Sequence, residues 1–112
     1  WIPYFYQQMD QTYKVNYSWA DRLLGLPKLK KLPSDYLREH AHWGVFDDPI
    51  GIQLRHLVGV DKIMWSTDFP HILTRWPKSL ELVKEQFAAV PEDEKAKMLA
   101  GNAVKFFHLD AA

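Results

Sequence analysis

The sequence contains no cysteine, no excess of either charge and no long apolar run. Each absence excludes something. Without cysteine there is neither a disulfide nor a thiolate metal site, so any metal must be held by His, Asp or Glu. Fourteen basic and fourteen acidic residues give a formal net charge of zero. The balance is also local, with six of each sign in residues 1–50 and eight of each in 51–112. The one basic cluster, Lys28, Lys30 and Lys31, is too small to suggest a nucleic-acid partner. No apolar stretch approaches the ~20 residues needed to span a bilayer, so no membrane partner is expected. There are no repeats and no Gly/Ser linker, and 112 residues fall in the range of a single domain of ~100–150 residues. The chain opens on Trp1, with neither an initiator Met nor a charged leader, and is read as lacking its beginning.

What is present is strongly patterned. Ile2, Phe5, Met9 and Tyr13, with Tyr6 and Tyr17 beside them, recur at helical spacing and predict a helix over residues 1–22, with Pro3 in its first turn. Seven of the sixteen aromatic residues fall within the first 19 positions, and such a face needs a cover. Residues 23–32 read as a loop, and Pro33-Ser34-Asp35 opens a short helix to about His40. Ala41–Phe46 predicts a strand. Asp48-Pro49 then supplies a cap and a first helical proline, followed by an apolar stripe at Ile50, Leu54, Leu57 and Val58 that ends at Gly59. Lys62–Ser66 predicts a second strand, so the unit is strand–helix–strand with a parallel pair. Lys78–Val90 reads as a helix with Leu80, Val83 and Phe87 on one side. Pro91-Glu92-Asp93-Glu94 starts another, and Gly101-Asn102 interrupts it, with Asn102 capping a last helix that buries Val104 and Phe106 or Phe107. Two strands are too few to make a sheet covered on both faces, so the chain reads as the end of a larger α/β protein.

In repeated β/α architectures, functional groups sit at the C-terminal ends of strands. Both predicted strands end in acid here. Asp47 and Asp48 are most simply helix-start residues, whereas Asp68 sits in the turn Thr67-Asp68-Phe69-Pro70, where no helix begins directly. Turn formation and chemistry are equally good readings of Asp68. His71, three residues on, is a second potential ligand or proton shuttle. An Asp and a His remain a weak metal signal, because a catalytic site needs about three protein ligands. His42, His56, His40 and His108 are read as structural or solvated. Trp65 and Trp43 are read as core, and Trp76, close to the Asp68 loop, as a candidate pocket wall.

The run Trp65-Ser66-Thr67-Asp68-Phe69-Pro70-His71 resembles the strand-eight motif of the amidohydrolase-related family, which includes the aminocarboxymuconate-semialdehyde-decarboxylase-like enzymes. Further segments resemble that family in order. They are Trp1-Ile2-Pro3-Tyr4, Pro33-Ser34-Asp35-Tyr36, Asp48-Pro49-Ile50-Gly51 with Leu54-Arg55-His56, Gly59–Trp65, and Gly101-Asn102-Ala103. The resemblance implies a C-terminal fragment of a (β/α)8 TIM barrel, from about helix 6 to helix 8 plus terminal helices, with strands 7 and 8. It also implies a divalent metal, zinc in many members, at the C-terminal face. Asp68 matches the aspartate that binds the metal or takes a proton from the water it activates. His71 matches a site-lining histidine, and with Trp76 it is expected to contact substrate. The His-x-His pair of strand one and the histidines of strands five and six lie outside the chain.

The expected activity of the full-length parent is therefore metal-dependent hydrolysis of a C–N or C–O bond, or decarboxylation of a small carboxylic acid. Its partners are expected to be a small-molecule substrate and either a second copy, in a homo-oligomer, or the missing N-terminal barrel part. Its expected location is cytoplasmic, and the 112 residues alone are expected to be inactive and poorly soluble. An alternative from another class is a small non-catalytic interaction module, or a degenerate paralogue, that binds a partner through the aromatic N-terminal helix.

Overall fold

A computed structural model describes residues 1–109. They belong to two compact units, Trp1–Ala41 and His42–Ala112.

The first unit is a long helix and a short one. Helix α1 spans Ile2–Leu24 and ends where Gly25 takes a left-handed conformation (φ 63°), its N–H returning to the Asp21 carbonyl. Ile2, Tyr6 and Ala20 are buried, with Met9 and Tyr13 half-buried between them, so the predicted face is present. Phe5 is the exception and lies outside that face, exposed. Helix α2, Pro33–His40, is held at its start by an acid from α1. The Asp10 carboxylate accepts from the Ser34 N–H at 2.9 Å and from the Ser34 hydroxyl at 2.7 Å. Asp35 accepts in turn from the Leu32 N–H. The Pro-Ser-Asp signature thus covers three of the helix-start amide positions: proline has no N–H, and two carboxylates take the others. The Arg38 guanidinium lies 4.2 Å over the Tyr6 ring.

The second unit contains the parallel pair. Strands β1 (Trp43–Val45) and β2 (Ile63–Trp65) pair with Trp43 opposite Ile63 and Val45 opposite Trp65. Between them run α3 (Pro49–Gln53), α4 (Arg55–Val58) and a single 3₁₀ turn at Val60–Lys62. Asp48 caps α3, its Oδ1 accepting from Gly51 N at 2.8 Å, and Gly59 with φ 112° ends α4. The predicted stripe is corrected here. The helix breaks at Leu54, and the buried residues are Ile52 and Val58, while Ile50 (66% exposed), Leu54 and Leu57 face outward. The tighter Leu57 N–H to Leu54 carbonyl bond rotates the second half relative to the first, which removes the single continuous stripe.

Helix α5 (Ser79–Gln86) keeps part of the predicted face, with Val83 half-buried and Phe87 buried, but not Leu80. Leu82 and, just beyond it, Phe87 are buried, and Leu80 is 77% exposed. The last segment runs without a break from α6 (Glu92–Ala96) through a π turn (Lys97–Gly101) into α7 (Asn102–Phe106). Asn102 therefore caps nothing. Its side chain is buried, and its amide donates to the carbonyls of Val60 and Ile63, each at 2.7 Å. Phe106 and Phe107 are exposed, and Met98, not Val104, is buried, as are Ile63, Phe87 and Val90. The extra residue of the π turn resets the helix face by about a third of a turn, which brings Asn102 inward. Arg55 and Glu94, both largely buried, pair at 2.6 Å and tie α4 to α6.

Candidate functional site

The functional candidates gather beyond the C-terminal ends of β1 and β2. Strand β2 ends at Trp65, whose indole N–H bonds the Phe46 carbonyl at 2.9 Å, and Ser66 N–H reaches the Val45 carbonyl. The two chains therefore leave the pair side by side. Asp68 follows with φ 55°, a left-handed backbone that a non-glycine residue adopts at a penalty and that Asp and Asn tolerate best. The Asp68 carbonyl accepts from His71 N–H at 2.8 Å, closing a turn around the cis Phe69-Pro70 bond. Thr67 ties the loop twice: its hydroxyl accepts from Phe69 N–H, and its carbonyl accepts from the Thr74 hydroxyl. The second bond returns residue 74 to the side of residue 67.

On this loop Asp68 Oδ2 lies 3.4 Å from His71 Nδ1, with both side chains about half exposed. Nδ1 is also 3.5 Å from the Leu73 N–H. It cannot serve both at once: as a lone pair it accepts from Leu73, and as an N–H it faces the Asp68 carboxylate. Trp76 packs on Phe69 with centroids 5.1 Å apart at 52°, and the two rings form an exposed apolar ledge beside the turn. The loop thus carries all three residues singled out in the sequence, Asp68, His71 and Trp76.

One further link was not legible beforehand. Asp47 is not a helix-start residue but a bridge. Its Oδ2 accepts from Arg75 Nε at 2.8 Å and its Oδ1 from the Gln86 amide at 3.0 Å. It therefore fastens the end of β1 to the loop after β2 and to α5. Twenty-eight residues separate Asp47 from Arg75, and no local spacing signals such a pair.

As a metal site the arrangement is incomplete. Among the described residues no group of three or more His, Asp or Glu converges to hold an ion. Asp68 and His71 offer one carboxylate and one imidazole, short of the three ligands a catalytic site needs. The remaining histidines stand apart. His42 packs on Phe106 at 4.6 Å, and burial together with the positive charges of Lys62 and Lys105 lowers its pKa. His56 is exposed and 3.4 Å from Glu94.

The Amidohydrolase family profile matches residues 14–109, most of the chain. The chain belongs to the amidohydrolase family. Among solved structures this amidohydrolase chain is similar to 5-carboxyvanillate decarboxylase LigW from Sphingomonas paucimobilis. The TM-score is 0.73 at 27% sequence identity, over 96% of this chain and 30% of that one. The chain therefore spans less than a third of that enzyme's length. No curated protein matches the sequence. No helix among the described residues is long and apolar enough to cross a membrane.

Proposed function

We propose that the protein, at its natural length, is a metal-dependent enzyme of the amidohydrolase superfamily. It hydrolyses a C–N or C–O bond or removes CO₂ non-oxidatively from a small carboxylic acid. The observation that carries this reading is Asp68, a half-exposed carboxylate at the C-terminal end of a parallel strand, set on a left-handed backbone inside the family match. Backbone of that kind costs free energy and is retained where a side chain must point in one direction. The likeness to a decarboxylase favours the CO₂-releasing arm.

In this reading residues 1–109 are the last part of a (β/α)8 barrel, with β1 and β2 as strands seven and eight and α1 as the helix after strand six. The other ligands of a divalent metal, zinc in the simplest case, come from strands outside the chain. The metal supplies Lewis-acid chemistry to the bound substrate. Asp68 Oδ2 takes or returns the proton of the reaction, His71 shares it through Nδ1, and the Phe69–Trp76 ledge lies against the substrate. The 112 residues alone are inactive. The partner is a second copy or the rest of the barrel, and the location is cytoplasmic.

Replacing Asp68 with Asn tests this, because Asn tolerates the same left-handed backbone. In the protein of natural length the variant is expected to fold normally, to hold less metal and to lose at least ~100-fold in turnover, the scale of a lost proton-transfer group. Unchanged metal content with full turnover refutes the assignment.

A further inference from the structure

A second collection of titratable side chains lies at the opposite end of the strand pair from Asp68. His42 and Lys62 immediately precede β1 and β2, so both stand where the strands begin. Helix α7 is fastened to that end by the two Asn102 bonds to the Val60 and Ile63 carbonyls. Lys105 and Phe106 follow Asn102 by three and four positions and so share its side of the helix. Phe106 accordingly meets the His42 ring at 4.6 Å. These residues, together with Asp61 and His108, line a cavity of about 560 Å³. Its walls thus carry two lysines and two histidines against a single carboxylate. That carboxylate, Asp61, is engaged by Lys97 Nζ at 3.0 Å. The buried Nδ1 of His42 has no hydrogen-bond partner among the described residues.

An excess of positive charge around one cavity calls for an anion. The charges of Lys62 and Lys105 reach His42 and, after burial, lower its pKa, the mark of a positive local potential that a bound anion relieves. The cations are lysines, point charges suited to phosphate, and no guanidinium fork lines the cavity to match a carboxylate. The volume falls within the ~300–1,000 Å³ of small-molecule sites, more than a bare ion fills. The exposed Phe106 ring offers an apolar face for the remainder of a ligand. We propose that this cavity binds a small phosphorylated organic molecule, its phosphate group between Lys62 and Lys105 and its organic portion against Phe106. The inference uses no residue of the Asp68 loop and stands independently of the function proposed above. In repeated β/α folds the N-terminal ends of the strands serve stability and not chemistry. A ligand there joins α7 to the start of both strands and stabilises the folded state by mass action.

The test uses the protein of natural length at fixed ionic strength. Phenyl phosphate is the probe, inorganic phosphate the bare anion and phenol the neutral counterpart, each titrated by calorimetry. Phenyl phosphate is expected to bind, inorganic phosphate to bind more weakly, and phenol to give no measurable heat. Lys105→Gln is expected to weaken phenyl phosphate about tenfold, the low end for a lost charged hydrogen bond because this lysine is exposed. Lys62→Gln acts in the same direction, and Lys105→Arg, which keeps the charge, retains most of the affinity. The His42 ring signal in NMR, identified as the one lost in His42→Gln, is expected to titrate at higher pH with phenyl phosphate bound, because the anion offsets the two lysine charges. No measurable binding of phenyl phosphate, or affinity within twofold of wild type in both glutamine variants, overturns the proposal. Inorganic phosphate binding as tightly as phenyl phosphate overturns its organic part and leaves a site for free phosphate. Binding lost in Asp68→Asn but kept in Lys105→Gln puts the anion at the other end of the strands, which overturns the proposal and leaves the enzyme reading standing.

Discussion

Asn102 is the residue whose replacement most sharply tests how the second unit is built. Its side-chain amide donates to two backbone carbonyls, Val60 and Ile63, that bracket the start of β2. Truncation to Ala leaves both carbonyls short of a partner in a place where water has little access. An unmet buried polar group costs ~1–3 kcal/mol, and the half-buried Val60 carbonyl belongs at the low end, so the pair is worth about 3 kcal/mol. Alanine regains about 0.6 kcal/mol through its better helix propensity. The expected net loss is therefore ~2–3 kcal/mol, a large share of the ~5–15 kcal/mol stability of an ordinary domain. Asn102→Asp has nearly the same shape but replaces the donor with a carboxylate oxygen aimed at two carbonyl oxygens 2.7 Å away. It is expected to be worse than Ala at neutral pH and to recover in part as acid protonates it. Urea unfolding of the protein at natural length, at pH 7 and pH 5, reads both effects. An Asn102→Ala variant within 0.5 kcal/mol of wild type, or an Asp variant as stable as the Ala variant, refutes the bracing role.

Two further outcomes follow from local geometry. A Cβ at Gly51 meets Asp48 Oδ2 at 2.3 Å, so Gly51→Ala must displace the capping carboxylate. A loss of about 1 kcal/mol, the worth of an N-cap, is expected in thermal or urea melts and should vanish when Asp48 is already replaced by Ala. The lowered pKa of His42, caused first by burial and then by the Lys62 and Lys105 charges, makes stability pH-dependent. Below the unfolded value of ~6.5 the unfolded chain binds a proton that the folded one resists, so stability falls as pH drops through that region and is fully present above it. His42→Gln is expected to flatten this part of the pH–stability curve, and an unchanged slope counts against it.

The strand–helix–strand core was legible because its signals are short-range. Asp48-Pro49 at the start of α3, Gly59 at the end of α4, and two short apolar strands each announce themselves within a few residues, and the structure places them as expected. The faces of the helices were harder to read. Leu80 and Leu82 differ by two positions, and which of them turns inward depends on what the helix lies against, not on its own spacing. Asn102 was misread for a related reason. Next to Gly101 it has the composition of a helix break and cap, but the π turn carries the helix through, and the amide finds carbonyls of the 3₁₀ turn and of β2 some forty residues away. Asp68, His71 and Trp76 lie close in sequence and share one loop, so their neighbourhood could be anticipated.

By itself the sequence determined the strand–helix–strand order, the parallel α/β character, the family and the position of Asp68 just past a strand end. Those follow from local backbone preferences and from a motif contained in seven consecutive residues. The tertiary structure alone decided which helix faces are buried, that Asn102 braces β2, and that Asp47 holds Arg75 beside the Asp68 loop. The last two depend on groups 28 to 42 residues apart, and such contacts exist only once packing has brought distant segments together.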